Sequence, residues 1–337
     1  MRFLAAADLH IKDRAGCAVL ERLLKVRREQ GCDAVLLGGD LLDTPFVGQE
    51  TEEAVRCLLK EAGCPVFLAA GNHDPLAVTA LYRSLPDHVQ VFPAELSGYT
   101  VAEGVRVFGY SAAREQVETR FLAGFSAPAD GVNILVAHGK PDGGAGDFQP
   151  ISTEELAGSN LQLAVVGHIH KGEQRQAGGC LLLVPGIPEG RGWDETGEKF
   201  VWVVDTAPFS VRPVSVATRS FAEYEVDLSL CKDTGEMLAA MEAVTAPPEV
   251  EFRLILVGTV AESPAPAIRI YEEQSGREVK DCTDTFGLPE ELEKQNTLQG
   301  AFVRRAMAEL RAAPPEERPR LEAALRLGLQ ALKEARR

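Results

Sequence analysis

The sequence lacks an apolar run of the roughly 18 residues that a membrane-spanning helix requires, and it has no internal repeat. Its seven cysteines include no C-x-x-C pair, so neither a zinc knuckle nor a disulfide framework is indicated. Acidic residues outnumber basic residues 50 to 35, and the resulting net charge of −15 argues against indiscriminate binding to nucleic acid or membranes. An apolar N-terminus interrupted at Asp8 does not resemble an export signal. We therefore expect a cytoplasmic protein without a membrane partner.

What is present is typical of a soluble globular protein, with 45% apolar and 25% charged residues among 337. In the first 205 residues, short apolar runs alternate with helical patterns at Ala18–Arg28 and Glu52–Glu61. This alternation predicts an α/β fold with a mixed sheet or two stacked sheets. The predicted strands are Arg2–Ala7, Ala34–Leu37, Pro65–Ala69, Val105–Gly109, Val132–Ala137, Leu161–Val166, Leu181–Val184 and Phe200–Val204.

The pattern changes near Pro208–Pro213, where we place the end of the first domain. A small α+β unit of about 70 residues follows, and from residue 288 the chain is helical, amphipathic and locally basic. The predicted domains are therefore 1–207, 208–287 and 288–337. The elements predicted after the change are strands Ser220–Leu228, Glu251–Val260, Ala267–Tyr271 and Glu278–Thr285, and helices Glu236–Val244, Leu298–Ala312 and Pro315–Arg336.

Five of the predicted strands in the first domain are followed by residues that can bind metals. In open α/β sheets the carboxyl ends of strands are where ligands bind, and carboxylate, amide and imidazole groups suit manganese, iron or zinc. In Asp8-x-His10 and His168-x-His170 the period of two would place both side chains on one side of an extended segment. The candidate residues are Asp8, His10, Asp40, Asn72, His73, Asp74, His138, His168 and His170.

Each motif alone is commonly a turn or a capping pair, but their order is specific. D-x-H, G-D, G-N-H-D, H and G-H-x-H resemble the calcineurin-like metallophosphoesterase superfamily over residues 1–205. The resemblance implies a four-layer core of stacked mixed sheets flanked by helices, a small α+β capping domain and a helical tail. It also implies two divalent metal ions, with Mn²⁺ expected, and hydrolysis of a phosphodiester.

The same resemblance implies a role for each residue. One ion would be held by Asp8, His10, Asp40 and His170, and the second by Asp40, Asn72, His138 and His168. His73 would stabilise the transition state or protonate the leaving oxygen. Asp74 would hold the His73 ring, unless it is a turn aspartate that caps the following helix.

Two further segments resemble SbcD-type DNA repair nucleases, and in particular their YhaO-like branch. These are Gly39-Asp40-Leu41-Leu42-Asp43 and the stretch from Val184-Pro185-Gly186-Ile187-Pro188 to Lys199, although Ile187 replaces a usual small hydroxyl residue. The resemblance implies DNA as substrate and an SbcC-like coiled-coil ATPase as partner, for which the tail is the expected docking element. The alternative is that the apolar faces of the two tail helices pack on each other or on the capping domain of the same chain. These faces are Phe302, Val303, Ala306, Met307 and Leu310, and Leu321, Leu325, Leu329 and Leu332. Such nucleases are often dimeric, but no dimer face is identifiable. The alternatives are a small-molecule phosphodiesterase or phosphatase, acting on a cyclic nucleotide or nucleotide sugar, and a noncatalytic scaffold.

Overall fold

The computed structural model describes residues 1–260, 262–285, 292–314 and 317–334. Its first strand, β1 (Arg2–Ala6), buries apolar side chains on both faces. Phe3 and Ala5 face one core cluster, and Leu4 and Ala6 face another, because successive side chains of a strand point to opposite sides. A strand that is buried in this way must lie between two layers.

A six-stranded mixed sheet forms around β1. Four neighbouring strands are parallel, and the two strands beyond β1 on its other side are each antiparallel to their neighbour. The sheet order is β12 (Phe209–Ser215), β11 (Phe200–Thr206), β1, β2 (Ala34–Leu37), β3 (Val66–Leu68) and β4 (Val89–Val91).

A second six-stranded sheet is also mixed, with four parallel strands in the middle and an antiparallel strand at each edge. Its order is β5 (Ser97–Ala102), β6 (Val105–Gly109), β7 (Val132–His138), β8 (Leu163–Gly167), β10 (Cys180–Val184) and β9 (Glu173–Ala177).

The two sheets share an apolar core that includes Phe3, Phe67, Val136 and Val165. The outer face of the first sheet is covered by α1 (Cys17–Glu29) and α2 (Gln49–Glu61), which bury their apolar stripes against it. The outer face of the second sheet carries α3 (Thr153–Gly158) and the loop residue Leu122. The four-layer fold of stacked mixed sheets flanked by helices is therefore confirmed. Short 3₁₀ helices lie at Ala80–Arg83 and Trp193–Glu195.

The chain divides into two compact units, Met1–Phe221 and Ala222–Arg337. This division falls later than the predicted boundary at 207/208, because β12 pairs along its length with β11 and so extends the first sheet. The predicted boundary at 287/288 lies outside the described residues.

The second unit begins with a three-stranded sheet whose core is covered by two helices. The sheet order is β13 (Ser220–Asp227), β14 (Val250–Val257) and β16 (Val279–Asp281), beside a two-stranded pair of β15 (Thr259–Val260) and β17 (Asp284–Thr285). The helices are α4 (Thr234–Glu242) and α5 (Ala265–Ser275).

Two predictions for this unit are corrected. Ala267–Tyr271 is part of α5 and not a strand: Ala267 and Tyr271 are buried together at an i,i+4 spacing, and Gly276 ends the helix in the left-handed conformation. The strand predicted over 251–260 is divided into β14 and β15 at Gly258, which has a φ of 95°.

Two helices follow, α6 (Leu298–Ala312) and α7 (Arg318–Glu334). Their predicted apolar faces pack against each other, with Val303, Leu325 and Leu329 buried. The ends of the predicted helix 315–336 lie outside the described residues. Among the residues described, no helix is both long enough and apolar enough to span a membrane.

Candidate metal centre

The candidate site residues lie at or just after the carboxyl ends of β1, β2 and β3 of the first sheet and of β7 and β8 of the second. The loops after β1 and β2 remain paired beyond the strands, since the backbone N–H of Asp8 donates to Gly39 O and that of His10 donates to Asp40 O, both at 3.0 Å. Asp8, His10 and Asp40 have φ values of 55°, 46° and 49°, and His168 has 99°. The side chains do converge, but from left-handed backbone and not from the extended segments that a period of two assumes.

Two glycines are required by close approach. A Cβ at Gly71 would lie 2.1 Å from Asp40 Oδ1, and a Cβ at Gly39 would lie 2.3 Å from His138 Nδ1. Both positions therefore exclude any other side chain while the site keeps this geometry.

The first predicted ligand group is brought together as one cluster. His10 Nε2 lies 3.1 Å from His170 Nε2 and 3.7 Å from Asp40 Oδ2. Asp8, His10 and His170 each offer one atom that could bind a metal, and these three atoms lie within 4.8 Å of one another. Asp8, His10 and Asp40 are buried, and His170 is partly exposed.

The second predicted group adjoins the first through Asp40. His138 Nε2 lies 3.3 Å from Asp40 Oδ2 and 3.0 Å from Asn72 Oδ1. His168 Nδ1 lies 3.1 Å from the same Asn72 oxygen. Asp8 contributes again here, because its Oδ1 accepts a hydrogen bond of 2.9 Å from the His168 backbone N–H.

The lone pairs of these residues fit divalent cations. His138 Nδ1–H donates to the Gly38 carbonyl, and His170 Nδ1–H donates to Glu195 Oε1. A neutral imidazole that donates from Nδ1 presents a lone pair at Nε2, and both Nε2 atoms face other acceptors or imidazoles. A cation between them satisfies these groups, as in other metal sites where the second ring nitrogen is held by an acceptor.

Burial and the attraction between Asp40 and His138 together set the charges of the cluster. Burial raises the pKa of Asp8 to about 6 and lowers the pKa of His10 and of His168 to about 4 each. For Asp40 and His138 burial is outweighed by their mutual attraction, so the pKa of Asp40 falls well below its usual range and that of His138 rises to about 9. A cation bound at Asp40 would displace the proton of His138.

Beside His170, Arg191 forms a charged network with Asp43 and Glu195, two residues that the sequence did not single out as site residues. In the sequence, the position of Arg191 beside the site loops indicates either a contact with phosphate or a solvated surface residue. Glu195 is buried, and it accepts hydrogen bonds from His170 Nδ1 at 2.7 Å and from Arg191 Nη2 at 2.8 Å. Burial would raise the pKa of Glu195, but these hydrogen bonds hold it far below its usual range. Arg191 also pairs with Asp43 at 3.1 Å. The sequence did point to this region, because Asp43, Arg191 and Glu195 lie within the two segments that resemble SbcD-type nucleases.

His73 lies at the exposed rim of the cluster. Its ring centroid is 4.7 Å from that of His10, its backbone N–H donates to Asp40 Oδ1, and its Nδ1 is 3.0 Å from the Asp43 carbonyl oxygen. The ring can therefore reach a bound ligand while its backbone positions Asp40.

The expectation that Asp74 holds the His73 ring is corrected. The buried Asp74 carboxylate instead accepts hydrogen bonds from the backbone N–H groups of Gly71 and Leu42 and from the Tyr82 hydroxyl. Burial and the nearby charge of Asp40 raise its pKa to about 7. Asp74 thus joins the loops after β2 and β3 and holds together the two segments that carry Asp40 and Asn72.

Comparison with known proteins gives the family directly. The calcineurin-like phosphoesterase profile matches residues 1–172, about half of the chain. The chain belongs to the calcineurin-like phosphoesterase family. The Asp and His cluster is in keeping with this membership.

Two kinds of curated relatives match the chain. The Bacillus subtilis protein named uncharacterized metallophosphoesterase YhaO is 28% identical over 243 residues, which is 60% of this chain and 57% of that protein. The UDP-2,3-diacylglucosamine hydrolase of Xanthomonas oryzae is 35% identical over 113 residues, which is 30% of this chain and 44% of that enzyme. The chain therefore spans about half the length of the curated relatives it matches.

Solved structures match at lower identity. The Thermus thermophilus protein TT1561 is 16% identical with a TM-score of 0.44, covering 64% of this chain and 98% of its own. A dimetal phosphatase from Danio rerio is 12% identical with a TM-score of 0.43, covering 60% and 91%.

Proposed function

We propose that this calcineurin-like phosphoesterase is a two-metal phosphodiesterase that cleaves DNA. One ion would be held by Asp8, His10, Asp40 and His170, and the second by Asp40, Asn72, His138 and His168. When bound, such ions supply charge that polarises a phosphoryl group and generates a nucleophile from water at neutral pH. Mn²⁺ is the metal that the family resemblance implies, and the mixed oxygen and nitrogen donor set suits manganese as it suits iron or zinc.

The protein's own residues would carry the proton transfer. The Asp43 carbonyl accepts from His73 Nδ1–H, so in the imidazolium form Nε2–H can give its proton to the leaving oxygen, and the ring is then neutral with its proton on Nδ1. The backbone of the same residue holds Asp40 in place. His73 is therefore the proposed acid and not a metal ligand.

The observation that most favours DNA is where the two SbcD-like segments lie. Asp43, from the first segment, pairs with Arg191, and Arg191 pairs with Glu195 of the second, next to His10 and His170. Both segments that carry the resemblance thus converge on the candidate metal centre. The YhaO match, which covers 60% of the chain, is in keeping with this branch of the family.

A second candidate function is hydrolysis of a phosphodiester or pyrophosphate bond in a nucleotide sugar. The 35% identity to UDP-2,3-diacylglucosamine hydrolase and the net charge of −15 both favour a small substrate.

Substrate panels separate the two. The full chain with Mn²⁺ is assayed on linear duplex DNA, single-stranded DNA, UDP-2,3-diacylglucosamine and a chromogenic phosphodiester, with Asp40→Asn as the inactive control. We expect cleavage of DNA and of the chromogenic diester. Cleavage of UDP-2,3-diacylglucosamine without cleavage of DNA would assign the second function, and inactivity on every substrate would favour a noncatalytic scaffold.

The partner proposed for this nuclease is an SbcC-like ATPase that docks on the tail. Helices α6 and α7 bury their main apolar faces against each other, yet Leu298 and Leu327 are 72% and 67% exposed. These two side chains offer apolar contact outside the helix pair. The double change Leu298→Asp and Leu327→Asp should abolish co-purification with the ATPase while hydrolysis of the chromogenic diester is retained. Unchanged co-purification would show that these tail side chains are not the docking element.

A further inference from the structure

The charged network beside the candidate metal centre contains groups that the proposed reaction does not use. Glu195 is 9% exposed and sits at the end of a short 3₁₀ helix. Its two oxygens accept hydrogen bonds from the ring of His170 and from the backbone and side chain of Arg191. A buried carboxylate that accepts from this many donors is fixed in place.

The first consequence concerns His170. Because the Glu195 oxygen that lies 2.7 Å from His170 Nδ1 also accepts from Arg191, it is an acceptor, so the His170 proton resides on Nδ1 and Nε2 is directed towards His10 Nε2 at 3.1 Å. Glu195 therefore sets both the tautomer and the ring orientation of a proposed ligand, as carboxylates commonly do behind metal-bound histidines.

The second consequence concerns Arg191. Its guanidinium is held between Asp43 and Glu195, and its side chain is still 42% exposed. A cavity of about 420 Å³ is lined by Arg191, His10, Lys12, Asp43, Asp194 and Glu195. A guanidinium that is fixed on one side and open on the other can form charge-assisted hydrogen bonds to a phosphate oxygen.

We propose that Glu195 is a positioning residue that aligns His170 for metal binding and holds Arg191 over the same site, where Arg191 binds the phosphate group of the substrate. This inference rests on the proposed assignment of His170 as a metal ligand, and it applies to a DNA phosphate and to a nucleotide-sugar phosphate equally.

The metal arm of the test uses Mn²⁺ alone, titrated calorimetrically into the metal-free full chain. Glu195→Ala should weaken one of the two Mn²⁺ affinities by about 10–100-fold, and Glu195→Gln, which keeps an acceptor for His170, should weaken it less. Asp194→Ala is the matched control, since it removes a neighbouring carboxylate from the same cavity. Thermal unfolding of the metal-free variants tests whether each is folded. If Glu195→Ala does not fold, the comparison of Glu195→Gln with the unchanged protein provides the test.

The phosphate arm uses inorganic phosphate as an inhibitor of chromogenic diester hydrolysis. Arg191→Met should raise the inhibition constant about tenfold or more, because a hydrogen bond to a charged group is lost, while both Mn²⁺ affinities stay close to those of the unchanged protein. A uniform fall in kcat without a change in KM or in phosphate inhibition would overturn the role of Arg191.

The outcomes also separate this inference from the site assignment. If His170→Ala leaves both Mn²⁺ affinities intact, the proposed ligand set is wrong. If His170→Ala loses one site but the Glu195 variants and Asp194→Ala all bind Mn²⁺ normally, the ligand set stands and the positioning role of Glu195 is refuted.

Discussion

Replacing Gly71 by alanine tests whether the position of Asp40 controls activity. Gly71 does not have a positive φ, so alanine can adopt its backbone, and the whole effect comes from the added Cβ. That atom would lie 2.1 Å from Asp40 Oδ1, whereas real Cβ contacts are essentially never shorter than 3.0 Å. Relief of this contact requires the carboxylate to move by about 1 Å, and the Asp40 backbone nitrogen, at 2.8 Å, is also too close. A displacement of about 1 Å can cost about 10²-fold in rate.

Local adjustment cannot easily relieve this clash. The Gly71 N–H is held by Asp74 Oδ1 at 2.8 Å, and Asp40 Oδ1 also accepts from the His73 backbone at 2.9 Å. The assay is Mn²⁺-dependent hydrolysis of a chromogenic phosphodiester at saturating metal, with bound manganese measured in parallel. Gly48→Ala is the control, since a Cβ there meets nothing within 4 Å. Normal turnover in Gly71→Ala would refute the claim that the exact placement of Asp40 matters.

Three other substitutions test separate roles. Asp40→Ala should abolish turnover and reduce bound metal at both positions, which elemental analysis measures; two bound ions with normal turnover would contradict the shared-ligand assignment. His73→Asn should keep the metal and cut turnover by about 10²–10⁴-fold, so a parallel loss of metal would make His73 a ligand. Asp74→Ala leaves two backbone N–H groups and the Tyr82 hydroxyl without their acceptor. It should lower the free energy of unfolding of the metal-free protein by about 3 kcal/mol, and denaturation with an unchanged midpoint would show that Asp74 is not a structural support.

The strands that hold the site were predictable because they are buried on both faces. The run Ala34–Leu37 is continuous, apolar and fully buried, and it matches β2. Strand β9, with the sequence EQRQA, escaped prediction because an exposed edge strand needs no apolar alternation. The pattern of α5 predicts a strand because its isoleucines and tyrosine fit the strand period and the helix period equally well over so short a run.

The convergence of the site was predictable for a topological reason, since parallel strands bring their carboxyl ends to one edge. What could not be predicted is which polar side chains support it. Glu195 reaches His170 across 25 positions through a loop whose path depends on tertiary contacts. The role of Asp74 depends on Tyr82, whose hydroxyl becomes its partner only when the 3₁₀ helix packs beneath the loop.

The division of the ligands between two sheets has a mechanical consequence. Asp8, Asp40 and Asn72 belong to the first sheet, and His138 and His168 belong to the second. A cation held by both sets is a cross-link between two layers whose shared core is apolar. Ligand linkage then gives about 2.7 kcal/mol of extra stability when the free ion is at 100 times its dissociation constant. A chelator should thus act on Met1–Phe221 as a mild denaturant, lowering its melting temperature and exposing the seam between the sheets to proteolysis.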